Sequence, residues 1–135
     1  MQGENSGAGP LDSVRNEPAP VVLTGIPASP GNIVAKAKVI GKNTPVESFP
    51  QGAVLVAHTT DPTLIGFMLK ASAIVTEIGG QMCHTAIVAR EMGIPCVVAV
   101  DSSLTTLRDG MLIRVDGSSG VVTILKPSHE SAYPQ

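Results

Sequence analysis

Three short apolar runs constrain this chain more than any other feature: Val54-Leu55-Val56-Ala57, Ala73-Ile74-Val75 and Cys96-Val97-Val98-Ala99-Val100. Each is rich in Val and Ile and has no charged side chain to offer to water, so both faces of the strand must be covered. Residues 33–40 differ, because Ala35, Ala37 and Val39 alternate with Lys36 and Lys38. That is the pattern of a half-exposed strand. Residues 111–115 and 121–125 are two more β runs, joined by Asp116-Gly117-Ser118-Ser119-Gly120, whose Asp-Gly favours a hairpin.

Helices are expected between the covered strands. Asp61-Pro62 places a side-chain acceptor and then a proline at the start of a helix over residues 63–70, with Gly66 weakening its interior. A second helix over residues 83–92 has Gly93 as a left-handed cap and Pro95 to prevent continuation. Its apolar residues Ala86, Ile87, Val88, Ala89 and Met92 do not form one stripe, so contacts on more than one side are expected. The order of strands, helix, strand, helix, strand and hairpin predicts an α/β domain with a mixed sheet.

The 135 residues suit one domain and leave no room for a complete multidomain enzyme. Residues 1–20 are rich in Gly, Asn, Ser, Pro and charge, without the basic and apolar regions of a secretory signal, and read as a disordered tail or linker. The folded domain is expected over 21–126, followed by a flexible tail over 127–135 that contains His129. A net charge of −2 argues against a nucleic-acid binder. Phe49, Phe67 and Tyr133 are the only aromatic residues, too scattered for a stacking platform. No apolar run approaches the ~20 residues that span a bilayer. A soluble, cytoplasmic protein is expected, with Cys83 and Cys96 as free thiols.

The chemistry concentrates in Thr76-Glu77-Ile78-Gly79-Gly80-Gln81-Met82-Cys83-His84-Thr85. A buried strand ends, two glycines permit a tight turn, and a helix begins with a histidine in its first turn. The unpaired N–H groups of a helix start attract anions such as phosphate, and histidine can carry a covalent phosphoryl intermediate. An ordinary helix-end histidine fits the same spacing. Cys83, His84, Cys96 and His58 lack the spacing of a zinc site.

The segment from Gly79 to Pro95, Gly-Gly-Gln-Met-Cys-His-Thr-Ala-Ile-Val-Ala-Arg-Glu-Met-Gly-Ile-Pro, closely resembles the phosphohistidine signature of the PEP-utilising enzymes, in their mobile or swivelling domain. Pro27-Ala28-Ser29-Pro30-Gly31 is similar to that family's opening motif, and Thr60-Asp61-Pro62 to its PEP synthase branch. Leu107-Arg108-Asp109-Gly110 and Val115-Asp116-Gly117 resemble its closing hairpin. The likeness extends from about Gly25 to Leu125. Two positions depart from the pattern: Met82 brings no hydroxyl, and Ala99 stands where glycine is common, which implies a reshaped loop at Asp101-Ser102-Ser103.

The resemblance implies a swivelling β/β/α domain and a phosphohistidine carrier in PEP/pyruvate-type phosphotransfer. His84 would be the catalytic residue. Gly79, Gly80, Cys83 and Thr85 would bind phosphate, with Thr60, Thr76 and Arg90 in support. Arg90 either reaches the phosphate or ties its helix to the sheet. The expected partners, in cis or in trans, are a PEP- or pyruvate-binding barrel, an ATP-grasp domain, or both. No cofactor is expected in this chain, and Mg²⁺ is expected on those partners. Alternatives are a docking or regulatory module that keeps the fold without phosphorylation, or a piece of a larger PEP-utilising enzyme.

Overall fold

The computed structural model describes residues 21–127. The expected tails at 1–20 and 127–135, with His129, lie outside the described residues except for Pro127. Eight strands are found there: β1 (Val21–Thr24), β2 (Ile26–Ser29), β3 (Asn32–Val39), β4 (Val54–Ala57), β5 (Ala73–Thr76), β6 (Cys96–Val98), β7 (Leu112–Asp116) and β8 (Val121–Lys126). Their order is β1-β8-β7-β3-β4-β5-β6-β2. The first half of β3 pairs antiparallel with β7, and its second half pairs parallel with β4. Strand β3 therefore belongs to both an antiparallel layer (β1, β8, β7) and a layer in which β4, β5 and β6 run parallel, edged by antiparallel β2.

The three apolar runs form the central strands, and their alternation divides two cores. Val54, Val56, Ala73, Val75 and Val97 face the antiparallel layer, where Ile113, Val115, Val122 and Leu107 meet them. Leu55, Ala57, Ile74, Cys96 and Val98 face the other way, beneath Phe49, Phe67, Met68, Ala86 and Ala89. Each fully buried Val or Leu contributes about 1.5–3 kcal/mol relative to exposure, which makes the central run the main source of cohesion. Helices α1 (Ile65–Met68) and α2 (His84–Met92) cover this outer face, while α3 (Ser103–Thr106) leads to Leu107 in the core between the sheets. The result is the expected mixed α/β architecture in β/β/α layers.

Some boundaries differ from the sequence expectation. The segment over 63–70 is a 3₁₀ turn, Pro62–Leu64, followed by a single α-turn, Ile65–Met68. β-Branched Thr63 and Ile65 and the glycine at Gly66 all lower helix propensity there. Cys83 precedes the second helix as its N-cap, and Gly93 ends it at φ 73°. The last central strand stops at Val98 because Ala99 turns left-handed at φ 60°. Strands β1 and β2 and helix α3 were not expected. Pro27 reads as a loop signal, but β2 is an edge strand, where a missing N–H is tolerated.

Strands β1 and β2 lie at opposite ends of the order yet are joined by Gly25 alone. The sheet must curl to bring its ends together. Gly25 N–H donates to Gly120 O at 2.9 Å, and Gly117 N–H to Gly31 O at 2.7 Å. A Cβ on Gly117 would lie 1.8 Å from Ser29 O, so only glycine fits where the hairpin meets β2. Among the described residues, no helix is long and apolar enough to cross a membrane.

Candidate functional site

The site forms at the C-terminal ends of β4 and β5, where open parallel sheets present their loops. After β5, the chain passes through Gly79 at φ +139°, where a Cβ would meet Cys83 Sγ at 3.1 Å and Val98 Cβ at 3.2 Å. Gly80 O accepts from Cys83 N–H at 3.2 Å, closing the turn that delivers His84 to the first position of α2. Among the described residues, no side-chain hydrogen bond from the N-cap Cys83 caps this helix start. Its first N–H groups have no intrahelical acceptor and point toward any anion held there.

His84 is half-buried and held from a distant segment. Its Nδ1 lies 3.2 Å from Thr60 Oγ1, and that hydroxyl lies 2.6 Å from Thr85 Oγ1. Thr60 and Thr85 are both buried. Among the described residues, His84 Nε2 makes no hydrogen bond. If the ring donates from Nδ1 to Thr60, which donates onward to Thr85, Nε2 is left with an unshared lone pair.

The other expected residues take varied positions. Thr76 Oγ1 donates to Ile78 O at 2.7 Å and braces the turn rather than touching His84. Arg90 donates from Nε to Ala28 O at 2.8 Å and from a terminal nitrogen to Gln81 O at 2.5 Å. Gln81 Nε2 adds a bond to Pro27 O at 3.1 Å. Arg90 thus ties α2 and the glycine turn to β2, the second of its two expected roles. Cys83 is half-buried against the outer core. Thr85 Oγ1 is buried against Thr60 Oγ1, and its backbone N–H lies in the first turn of α2, where it can serve an anion.

Two features were missed in the sequence. His58 Nδ1 lies 2.7 Å from Glu77 Oε1, joining the loops after β4 and β5. Their positions at matching strand ends are the signal, legible only once the register Ala57↔Thr76 is known. The second is a set of exposed apolar side chains on the turn and helix that carry the histidine: Met82 is 79% exposed, Ile78 47% and Ile87 42%. Ile87, three residues after His84, shares its helix face.

Asp61, beside Thr60, has its carboxyl held below the ordinary value by the Thr63 hydroxyl, then by the Thr63 N–H at 2.8 Å, with a smaller contribution from His84. Burial pushes the Cys96 thiol up to about 12, with Cys83 adding to the shift. Among the described residues, no group of three or more His, Cys, Asp and Glu gathers as metal ligands.

The sequence matches the family of the PEP-utilising enzyme, mobile domain, over residues 49–120. It is 48% identical over 103 residues to the phosphoenolpyruvate synthase of Aeropyrum pernix, an alignment covering 76% of this chain and 13% of that protein. The chain therefore spans a small fraction of such relatives. Among solved structures, the solution structure of Enzyme I (nEIt) is 26% identical, with a TM-score of 0.54 over 65% of this chain and 37% of its own. Aconitase X of Thermococcus kodakaraensis, at 22% identity and a TM-score of 0.61 over 78% of this chain and 99% of its own, shares the fold.

Proposed function

Because this chain belongs to the PEP-utilising enzymes, as their mobile domain, we propose that it is a phosphohistidine carrier that accepts a phosphoryl group on His84 and passes it between partner active sites. The observation that carries this reading is the state of the ring. Nδ1 is tied to Thr60, while among the described residues Nε2 has no hydrogen-bond partner and Cys83 does not cap the helix start with its side chain. In the transfer, the Nε2–P bond forms as the P–O bond to the donor breaks, and the leaving oxygen retains the bonding electrons. The ring keeps its Nδ1 proton. The phosphoryl oxygens then face the first N–H groups of α2, whose partial positive charge favours them. The reverse step hands the group to the acceptor.

Partner domains supply the rest in this proposal. A PEP- or pyruvate-binding barrel and an ATP-grasp domain provide the two loading stations, and Mg²⁺ is held there. The metal would neutralise charge on the transferring group. The exposed Met82, Ile78 and Ile87 support the docking this requires, since exposed apolar side chains on the segment that carries a reactive residue suit burial against a second surface. The cytoplasm is the proposed compartment.

The test is incubation with phosphoenolpyruvate, Mg²⁺ and a barrel domain from a related PEP synthase, followed by mass spectrometry under alkaline conditions. One acid-labile phosphate on His84, absent from His84→Asn, is the expected result. Stable phosphate on Ser or Thr with His84 bare would overturn the reading in favour of a docking module.

A further inference from the structure

We propose that Glu77 and His58 are a positioning pair for His84, acting through Thr60 to keep the ring proton on Nδ1 and Nε2 free. This deepens the carrier reading and rests on it. Thr60 must reach from the loop after β4 to the start of α2, so the placement of that loop sets the Thr60–His84 distance. Three backbone contacts clamp the loop: Glu77 N–H lies 3.1 Å from both Ala57 O and His58 O, and Ile78 N–H donates to His58 O at 3.1 Å. The side chains add a fourth, because a carboxylate only accepts and His58 Nδ1 therefore donates to Glu77 Oε1 at 2.7 Å.

The arrangement is directional. Glu77 lies on the segment that runs through Gly79 and Gly80 to His84, and His58 lies two residues before Thr60. The pair therefore joins the two segments that must meet at the His84 ring. Glu77 is mostly covered, with 24% of its side chain exposed, whereas His58 is 60% exposed. A charge-assisted hydrogen bond with one shielded partner holds its geometry better than two mobile surface side chains do. Neither residue touches the reacting nitrogen. Their effect reaches it through the Thr60 hydroxyl.

The experiment records long-range proton–nitrogen NMR spectra of the histidine rings in the intact chain, and the rate of loading by potassium phosphoramidate. With this small donor, the reagent's P–N bond breaks as the Nε2–P bond forms, and its nitrogen leaves as ammonia. In the unaltered chain His84 should carry its neutral-ring proton on Nδ1. Glu77→Ala and His58→Ala should shift part of the population to the Nε2-protonated form and slow loading about fivefold, as expected for loss of one hydrogen bond. Glu77→Gln and His58→Asn keep an acceptor and a donor in place and should restore both readings. Thr60→Ala should shift both readings at least as far as Glu77→Ala, and adding Glu77→Ala to it should change nothing further. Thermal melts by circular dichroism confirm that each variant is folded.

If Glu77→Ala and His58→Ala leave the His84 tautomer and loading rate unchanged, the proposal is overturned. Failure of the carrier reading looks different: partner enzymes would not load His84 in the unaltered chain, while the tautomer still responds to Glu77.

Discussion

Thr60 Oγ1 lies 3.2 Å from His84 Nδ1 and 2.6 Å from Thr85 Oγ1, so one buried hydroxyl links the loop after β4 to the first turn of α2. Thr60→Ala removes both partners at once. It should destabilise the fold by about 1–3 kcal/mol, because the Thr85 hydroxyl loses its buried partner. Thr60→Ser should recover most of the loss. Urea denaturation of the two variants provides the measurement, and equal midpoints would contradict it.

Gly79→Ala should cost about 1–3 kcal/mol, the usual range for a residue forced into a sparsely populated backbone region. At φ +139° the new methyl would also press on Cys83 Sγ and Val98. Because Cys83 precedes His84, loading by phosphoramidate should fall beyond what the loss of stability explains. Gly80→Ala meets no heavy atom within 4 Å and is the control.

Ala99→Gly should stabilise the chain. Alanine at φ 60° pays about 1–2 kcal/mol for the left-handed region, and the greater freedom of glycine in the unfolded chain offsets part of the gain. A net rise of about 0.5–1 kcal/mol in unfolding free energy is expected. An unchanged or lower midpoint would show that the strain is relieved elsewhere.

Asp61 and Asp116 should make the fold acid-sensitive. Asp61 is held low chiefly by the Thr63 hydroxyl, and Asp116 by the Ser119 side chain and then its N–H. Both folded values lie below the unfolded 3.8. Their contribution is therefore present above that value and lost as the pH falls through the folded ones. Asp61→Asn and Asp116→Asn should each flatten the stability profile below pH 3.8.

Cys96 should resist alkylation in the native state and react only on unfolding, because burial raises its thiol from 9.0 to about 12. A group whose folded value is raised gives stability that is complete below the unfolded value and is lost as pH rises through the folded one. Cys96→Ala should therefore weaken the alkaline decline that begins near 9.0. Labelling followed by peptide mass spectrometry tests the first expectation, and labelled Cys96 in the folded chain would contradict it.

Much of the fold was legible in the residues themselves. Val54, Leu55, Val56 and Ala57 must be covered on both faces because no polar side chain interrupts them, and the structure divides them between two cores. Gly93 and Pro95 mark the end of α2, and the Asp-Gly turn marks the last hairpin, because each acts on its own backbone. Gly79-Gly80 before His84 drew attention to the site for the same reason. Other features depended on where distant segments come to rest. Pro27 signals a loop until the curl of the sheet makes its strand an edge. Arg90 could have faced an anion, but its length and the nearness of β2 give it to the carbonyls of Ala28 and Gln81. The bonds from Thr60 to His84 and from His58 to Glu77 join residues 24 and 19 positions apart. Local conformational preference is set by neighbouring residues, whereas a side chain's hydrogen-bond partner is set by the packing of strands and helices that brings both within 3 or so ångströms.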